Sequence, residues 1–294
     1  MSHIHEDTLC LMPSDTPARR PRRTEAETRQ RLLDLAMERL VDQGVGIGLD
    51  AIRMEKVIAD AGVSRASAYR CWPHRDDFLA DALVHTIRQT ALLPEQPEDI
   101  ARLVRLIEGA DLLDEAARRD LVVEALRASV DADIRRLVAS PHWRLFMALS
   151  TTVATIEDDT LRETVREELA TMEESFVARR AEVYGGVCQM IGYRPTAPWS
   201  HEQGLVVLSQ LAGLLMRGIA SRALVDPGWL DERIPAALFG SRRTADWSQG
   251  EMALTGLVLG HLEPNPDVRW TTERLGQSRA LFDATAQSLA EGQL

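Results

Sequence analysis

Residues 53–72, RMEKVIADAGVSRASAYRCW, constrain this chain more than any other stretch. They read as a short helix over Arg53–Ala61, a break at Gly62 and a second short helix opening at Ser64. Gly62 falls where the first helix must stop, and only a residue without a β-carbon takes the left-handed conformation there at no steric cost. Val63, apolar within the turn, is expected to plug the angle between the two helices. Ser64 can cap the second helix by accepting a hydrogen bond from one of its first backbone amides. The stretch therefore reads as a helix-turn-helix. Its second helix carries Arg65, Ala66, Ser67, Tyr69 and Arg70, a set of groups suited to base edges and phosphates.

The flanks supply a scaffold for the two short helices. Thr24–Gln43 is strongly periodic, with Leu32, Leu33, Leu35, Ala36, Leu40 and Val41 on one face and Arg29, Arg31, Glu38 and Arg39 on the other. That pattern predicts an amphipathic helix, and Thr24 with Glu27 predicts a capping box at its start. Gly44, Gly46 and Gly48 then break the period. On the other side Pro73 ends the second short helix, and Arg75 opens a fourth helix to about Leu92, with Phe78, Leu79, Ala82, Leu83 and Ile87 facing inward.

From Pro97 onward the chain reads as helix with short breaks: 98–109, 113–139, 142–156, 159–185 and 200–224, then pieces near 227–238, 248–262 and 271–290. No stretch alternates convincingly with period two, and repeats and low-complexity tracts are absent. Residues 203–224 are apolar over most of the helix circumference, with small residues at Gly204, Ala212, Gly213, Gly218 and Ala220. Such a helix must be covered on more than one side. The expected fold is all-α, an N-terminal three-helix helix-turn-helix domain joined to an all-α bundle. The expected division is a tail over 1–23, the head over 24–84, a body over 85–226 and a helical extension over 227–294.

Charge separates head from body. The 294 residues carry a net charge of −11. Between Arg19 and Arg75 there are 12 Lys and Arg against 8 Asp and Glu, a balance of +4 that leaves −15 for the rest. A basic module on an acidic body is the footprint of a protein that meets DNA on one face. The tail over 1–23 is polar, proline-punctuated and reads as disordered, and it ends in Arg19, Arg20, Arg22 and Arg23. An arginine arm of this kind can enter the minor groove or track phosphates. His3, His5 and Glu6 read as a chance cluster, and no metal site is expected. Cys10, Cys71 and Cys188 are widely spaced, without C-x-x-C, and read as free thiols in a reducing cytoplasm. No apolar run is expected to span a membrane.

At residues 53–75 the chain resembles the TetR/AcrR family of bacterial transcriptional regulators. The family pattern T-x-x-x-I-A-x-x-A-G-V-S-x-x-x-x-Y-x-H-F-x-x-K is matched in register by Val57, Ala61, Gly62, Val63, Ser64, Tyr69 and Arg75. Arg53 stands where the family often has Thr or Ser, Ile58 where Ala usually packs, Cys71 where His is common and Trp72 where Phe is common. The resemblance implies a homodimer on a palindromic double-stranded DNA operator. Ser64, Arg65, Ala66, Ser67, Tyr69 and Arg70 would then meet the groove, while Arg53, Lys56, Arg75 and the arm hold phosphates. It further implies that the helices over 159–185 and 200–224 pair with their two-fold mates. A small-molecule inducer would lie in the body, with Trp143, Phe146, Met147, Thr151, Thr152, Phe176 and Tyr184 as candidate lining.

No cofactor is expected, and an enzyme finds little in the sequence: there is no G-x-S-x-G, Walker loop or H-E-x-x-H. The resemblance thus implies a ligand-responsive regulator, and repression is the usual outcome in that family; two alternatives stand beside this reading. One is a DNA-binding regulator of the same fold without small-molecule sensing, the other an all-α enzyme.

Overall fold

The computed structural model describes residues 24–43, 52–90 and 96–290, so the tail with its arginine arm, the Gly44–Gly48 break and Leu92 lie outside the described residues. Helix α1 (Glu25–Gln43) buries Leu32, Leu33, Ala36 and Leu40 along its apolar stripe. Its capping box is formed: the Thr24 hydroxyl accepts from the Glu27 amide at 3.2 Å, and the Glu27 carboxylate accepts from the Thr24 amide at 2.8 Å. Two short helices follow, α2 (Met54–Ala61) and α3 (Arg65–Cys71), and then α4 (Arg75–Arg88). Helix α4 buries Phe78, Ala82, Leu83 and Ile87 as its pattern predicts, with Leu79 half-buried.

The body is built from α5 (Pro97–Glu108), α6 (Glu115–Ala139), α7 (Pro141–Thr152), α8 (Asp159–Ile191), α9 (His201–Val225), α10 (Gln249–His261) and α11 (Thr272–Ala290). Side-chain caps start most of these helices: Asp114, Ser140, Asp158, Ser200 and Ser248 each accept from a first-turn amide. The molecule is all-α in architecture, as the periodicity predicts. One core runs unbroken from α1 to α4 into α7 and α8, joining Leu33, Phe78 and Ile87 to Trp143, Phe146, Val165 and Phe176. Two further cores lie around α9, one with Val122, Cys188, Leu208 and Val258, the other with Ile134, Ala212, Ile219 and Leu254.

Several boundaries differ from expectation. Helix α8 passes the predicted stop at Gly185 and continues to Ile191. There Leu205 of α9 comes within 3.3 Å of the place a β-carbon would occupy at Gly185, so the glycine serves close packing rather than termination. The helix expected over 227–238 is instead a 3-10 turn over Pro227–Asp231 followed by strand β2 (Ile234–Ala236). Pro235 accounts for this, since its missing amide hydrogen and its ring both oppose a helix interior. Strand β2 pairs antiparallel with β3 (Ala245–Trp247), and β1 (Tyr193–Pro195) with β4 (Leu262–Pro264). None of these four was expected, and at three residues each they are too short to display an alternating pattern.

Helix α9 also corrects the reading of membrane-spanning length, because by length and composition alone it is apolar enough to cross a bilayer. Its surroundings are those of a bundle's central helix: it packs against α6, α8 and α10. Leu205, Leu208, Ala212, Ile219, Ala220 and Ala223 are buried there.

The extension after Pro227 is part of the body, since α10 lies against both α6 and α9. Ion pairs from distant sequence fix it. Asp120 on α6 accepts from the Arg242 amide at 2.7 Å, from the Arg242 guanidinium at 2.7 and 2.9 Å and from the Ser241 hydroxyl at 3.0 Å. Burial alone would raise the Asp120 carboxyl, but these donors together hold it below its usual value. Glu251 is fully buried; it caps α10 by accepting from the Ser248 amide at 2.5 Å and also receives Arg233 at 2.7 Å and Arg127 at 3.4 Å. Removing a buried partner leaves the other charges uncompensated, and Glu251→Ala is expected to cost about 3–5 kcal/mol of unfolding free energy. Urea denaturation of the variant against the parent chain measures this; a loss below about 1 kcal/mol would show that the cluster is not holding α10 in place.

Candidate nucleic-acid interface

The helix-turn-helix forms because each local choice agrees with it. Arg53 precedes α2 in an extended conformation, with no side-chain cap hydrogen bond, as expected where a hydroxyl is missing. Met54, Val57, Ile58 and Ala61 are buried, so one face of α2 is wholly committed to the core. Ile58, bulkier than the Ala of the pattern that the sequence resembles, is buried there. Gly62 is left-handed at φ 62°, and the Val63 amide reaches back to the Ile58 carbonyl at 3.4 Å. This six-to-one bond is the Schellman closure, and it needs the positive φ. Val63 packs half-buried against the main core. Ser64 then caps α3, its hydroxyl accepting from the Ser67 amide at 3.1 Å.

Helix α3 is only seven residues, and of these Ala68 alone is buried. Arg65, Ala66 and Arg70 are exposed and Ser67 and Tyr69 are half-buried. Arg70 donates to the Ser67 hydroxyl at 3.4 Å. Trp72, fully buried, anchors the C-terminal end: its ring nitrogen donates to Asp81 at 2.6 Å, and its ring meets Phe78 edge-on at 5.1 Å. Arg29 of α1 lies over the same ring at 4.9 Å and pairs with the same Asp81. The exposed side of α3 is therefore chemically open while its inner side is held by α1 and α4.

Arg53, Lys56 and Arg75, predicted to hold phosphates, are all exposed, and the arm at Arg19–Arg23 lies outside the described residues. Lys56 is exposed on α2, beside Arg53 at its start, and Arg75 is the first residue of α4. Arg75 is not solely a surface cation, because its guanidinium lies 2.5 Å from the Glu55 carboxylate, which also accepts from the Tyr69 hydroxyl at 3.2 Å. A hydrogen bond from the Glu55 backbone, then the Tyr69 hydroxyl and Arg75, keep that carboxyl below its usual value, although burial opposes them. Glu55 is the residue sequence reasoning missed. The sequence shows it as one of two acids in the motif, with Asp60, and nothing local marks one out from the other.

The aromatic residues considered for an inducer pocket fill space with one another. The rings of Trp143, Phe146 and Phe176 stand 4.9–5.7 Å apart and are buried in the main core. Met147 packs half-buried against the same core. Thr151 and Thr152 are exposed at the end of α7, with hydroxyls turned back to main-chain carbonyls of the preceding turn. Tyr184 lies apart from the cluster, and burial raises its phenol to about 12. An open groove of about 590 Å³ lies elsewhere, between α5, α6 and the β2–β3 ribbon, bordered by Leu106, Glu124, Arg127, Arg233, Arg243 and Asp246. Among the described residues no cluster of three metal-ligating side chains occurs.

No family model and no curated protein matches the sequence. One similar solved structure is that of a chain from Rhodococcus sp. assigned to the TetR family of transcriptional regulators, at 16% identity and a TM-score of 0.40, covering 79% of this chain and 97% of that one.

The geometry of the turn separates backbone strain from packing. A β-carbon at position 62 would meet nothing within 4 Å. Gly62→Ala is therefore expected to cost about 1 kcal/mol through its left-handed backbone alone. Thermal or urea melting tests this, and a cost of several kcal/mol would mean that the turn cannot relax without unseating α3.

Proposed function

We propose that the protein is a DNA-binding transcriptional regulator, acting as a homodimer, most simply as a repressor in the cytoplasm, on a roughly palindromic operator. The observation that carries this reading is the α2–turn–α3 unit, a left-handed Gly62, a Ser64 cap and a recognition helix whose outer side is Arg65, Ala66, Ser67 and Arg70. In a dimer two such helices would enter successive major grooves about one helical turn apart. Phosphate contacts from Arg53, Lys56, Arg75 and the arm at Arg19–Arg23 would set register, while Arg65, Ser67 and Tyr69, with help from Arg70, would meet bases or the nearby backbone.

The dimer is supported by unpartnered apolar surface on the paired helices α8 and α9. Val183, Val206 and Leu214 are 57%, 38% and 63% exposed. Val206 and Leu214, eight residues apart on one helix, share a broad stripe. A small molecule bound in the body would act by shifting the population of head spacings, and α4, in contact with both α1 and α8, is the element to carry that shift.

Selection from random duplex DNA with the purified chain tests the reading, and an enriched inverted repeat is the expected result. Arg65→Ala with Tyr69→Ala should weaken binding to that repeat by about 2–5 kcal/mol while the protein remains folded. Failure of the folded parent chain to enrich any sequence at moderate salt would refute it. Leu214→Glu places a charge within the exposed stripe and is expected to shift the dimer toward monomer in sedimentation velocity; an unchanged dimer would place the interface on another face.

A further inference from the structure

Tyr69 and Arg75 aim their donors at a single atom. The Tyr69 hydroxyl donates to Glu55 Oε1 at 3.2 Å, and Arg75 Nη2 lies 2.5 Å from that same oxygen. One anionic oxygen from α2 thus receives a phenol O–H from α3 and a guanidinium N–H from α4. The side chains of Glu55 and Arg75 are 30% and 69% exposed, so the cluster opens to solvent instead of closing into the core. Arg65, at the exposed start of α3, is near enough to act on the Glu55 charge as well. A phosphodiester oxygen carries the same charge as a carboxylate oxygen and accepts from the same donors.

Resting on the DNA-binding reading, we infer that Tyr69 and Arg75 form a seat for a backbone phosphate, that Glu55 occupies this seat in the free protein, and that duplex DNA displaces it. Each binding event must break the Arg75–Glu55 pair, and the displaced carboxylate remains beside the incoming phosphate and repels it. The residue therefore lowers affinity for every duplex alike, which matters most for non-specific sites, where phosphate contacts supply nearly all the binding. A complex with base contacts outweighs that cost. Glu55 on this account sets the threshold below which the protein leaves DNA, and it does so without touching a base.

The opposite role is also physically definite: a carboxylate that merely holds Arg75 in place would raise affinity, and its loss would weaken binding. Glu55→Gln separates the two, since the amide oxygen still accepts from Tyr69 while the charge is removed. The probe is a fluorescent duplex of random sequence, titrated by anisotropy over a range of salt concentrations, with circular dichroism confirming the fold. Displacement predicts affinity higher by about fivefold near 0.1 M salt. It also predicts a salt slope steeper by about one, because the parent carboxylate takes up a cation as Arg75 leaves it. Glu55→Ala should move both readouts in the same direction and serves if the first variant does not fold. Equal or weaker binding by a folded variant overturns the seat while the parent's own DNA binding leaves the regulator reading intact. If parent and variants are folded and none binds any duplex, both readings fall.

Discussion

A seven-residue helix cannot hold itself together, and α3 must be held by what it touches. Nucleating a helix fixes several residues for one hydrogen bond, and isolated helices of this length are unstable in water. Here the missing stability comes from both ends. Ser64 satisfies an amide at the start, and buried Ala68 and Trp72 fasten the other side. Asp81 receives both the Trp72 ring nitrogen and Arg29, so that one carboxylate joins α1, α4 and the close of α3. The consequence is that every outward-facing residue of α3 is positioned by residues that face inward. Chemistry on the exposed side is free to vary provided those anchors remain.

The same dependence extends into the body. The core that holds α3 does not end at the head but continues into α7 and α8, where the three aromatic rings pack on one another. A head with a separate core would pivot on a linker, whereas this one shares its apolar contacts with the bundle. The bundle is in turn closed by its C-terminal extension, which places α10 over α6 and α9 and pins the intervening loops with buried carboxylates. Hydrophobic burial provides the bulk of such cohesion, and the carboxylates determine where the loops lie because an unpaired charge there is so costly.

Helices were legible in the sequence because their signal is long. A stripe recurring every three to four residues over ten or more positions, such as the one begun by Thr24, leaves little room for another reading. Gly62 was legible for a different reason, since one conformation at one position demands it. What escaped was short or distant. Strands of three residues carry no period, and the proline that ended a supposed helix over 227–238 sits inside one of them. The pairing of Asp120 with Arg242 joins positions 122 residues apart, and no local pattern announces it. Trp143, Phe146 and Phe176 were visible as aromatic residues, but whether such rings line a cavity or fill it depends on three-dimensional packing. Glu55 was likewise visible as a residue and invisible as a contact, because its partners arrive from two other helices.

Helix α4 is where these constraints meet. Its N-terminal residue Arg75 pairs with α2, Asp81 in its middle holds Trp72, and His85 meets Asp34 of α1 at 2.9 Å. At its far end Arg88 grips Glu168 of α8 through two bonds of 2.8 Å. A bidentate pair of this kind fixes direction as well as distance. If α8 shifts relative to α1, α4 has to follow α8 or break that grip, and in following it carries Asp81 away from Trp72 or takes α3 with it. Either outcome changes the aim of Arg65 and Arg70. Packed interfaces resist continuous deformation and favour discrete arrangements, so a displacement of α8 relative to α1 would reach α3 as a step between arrangements and not as a graded loosening.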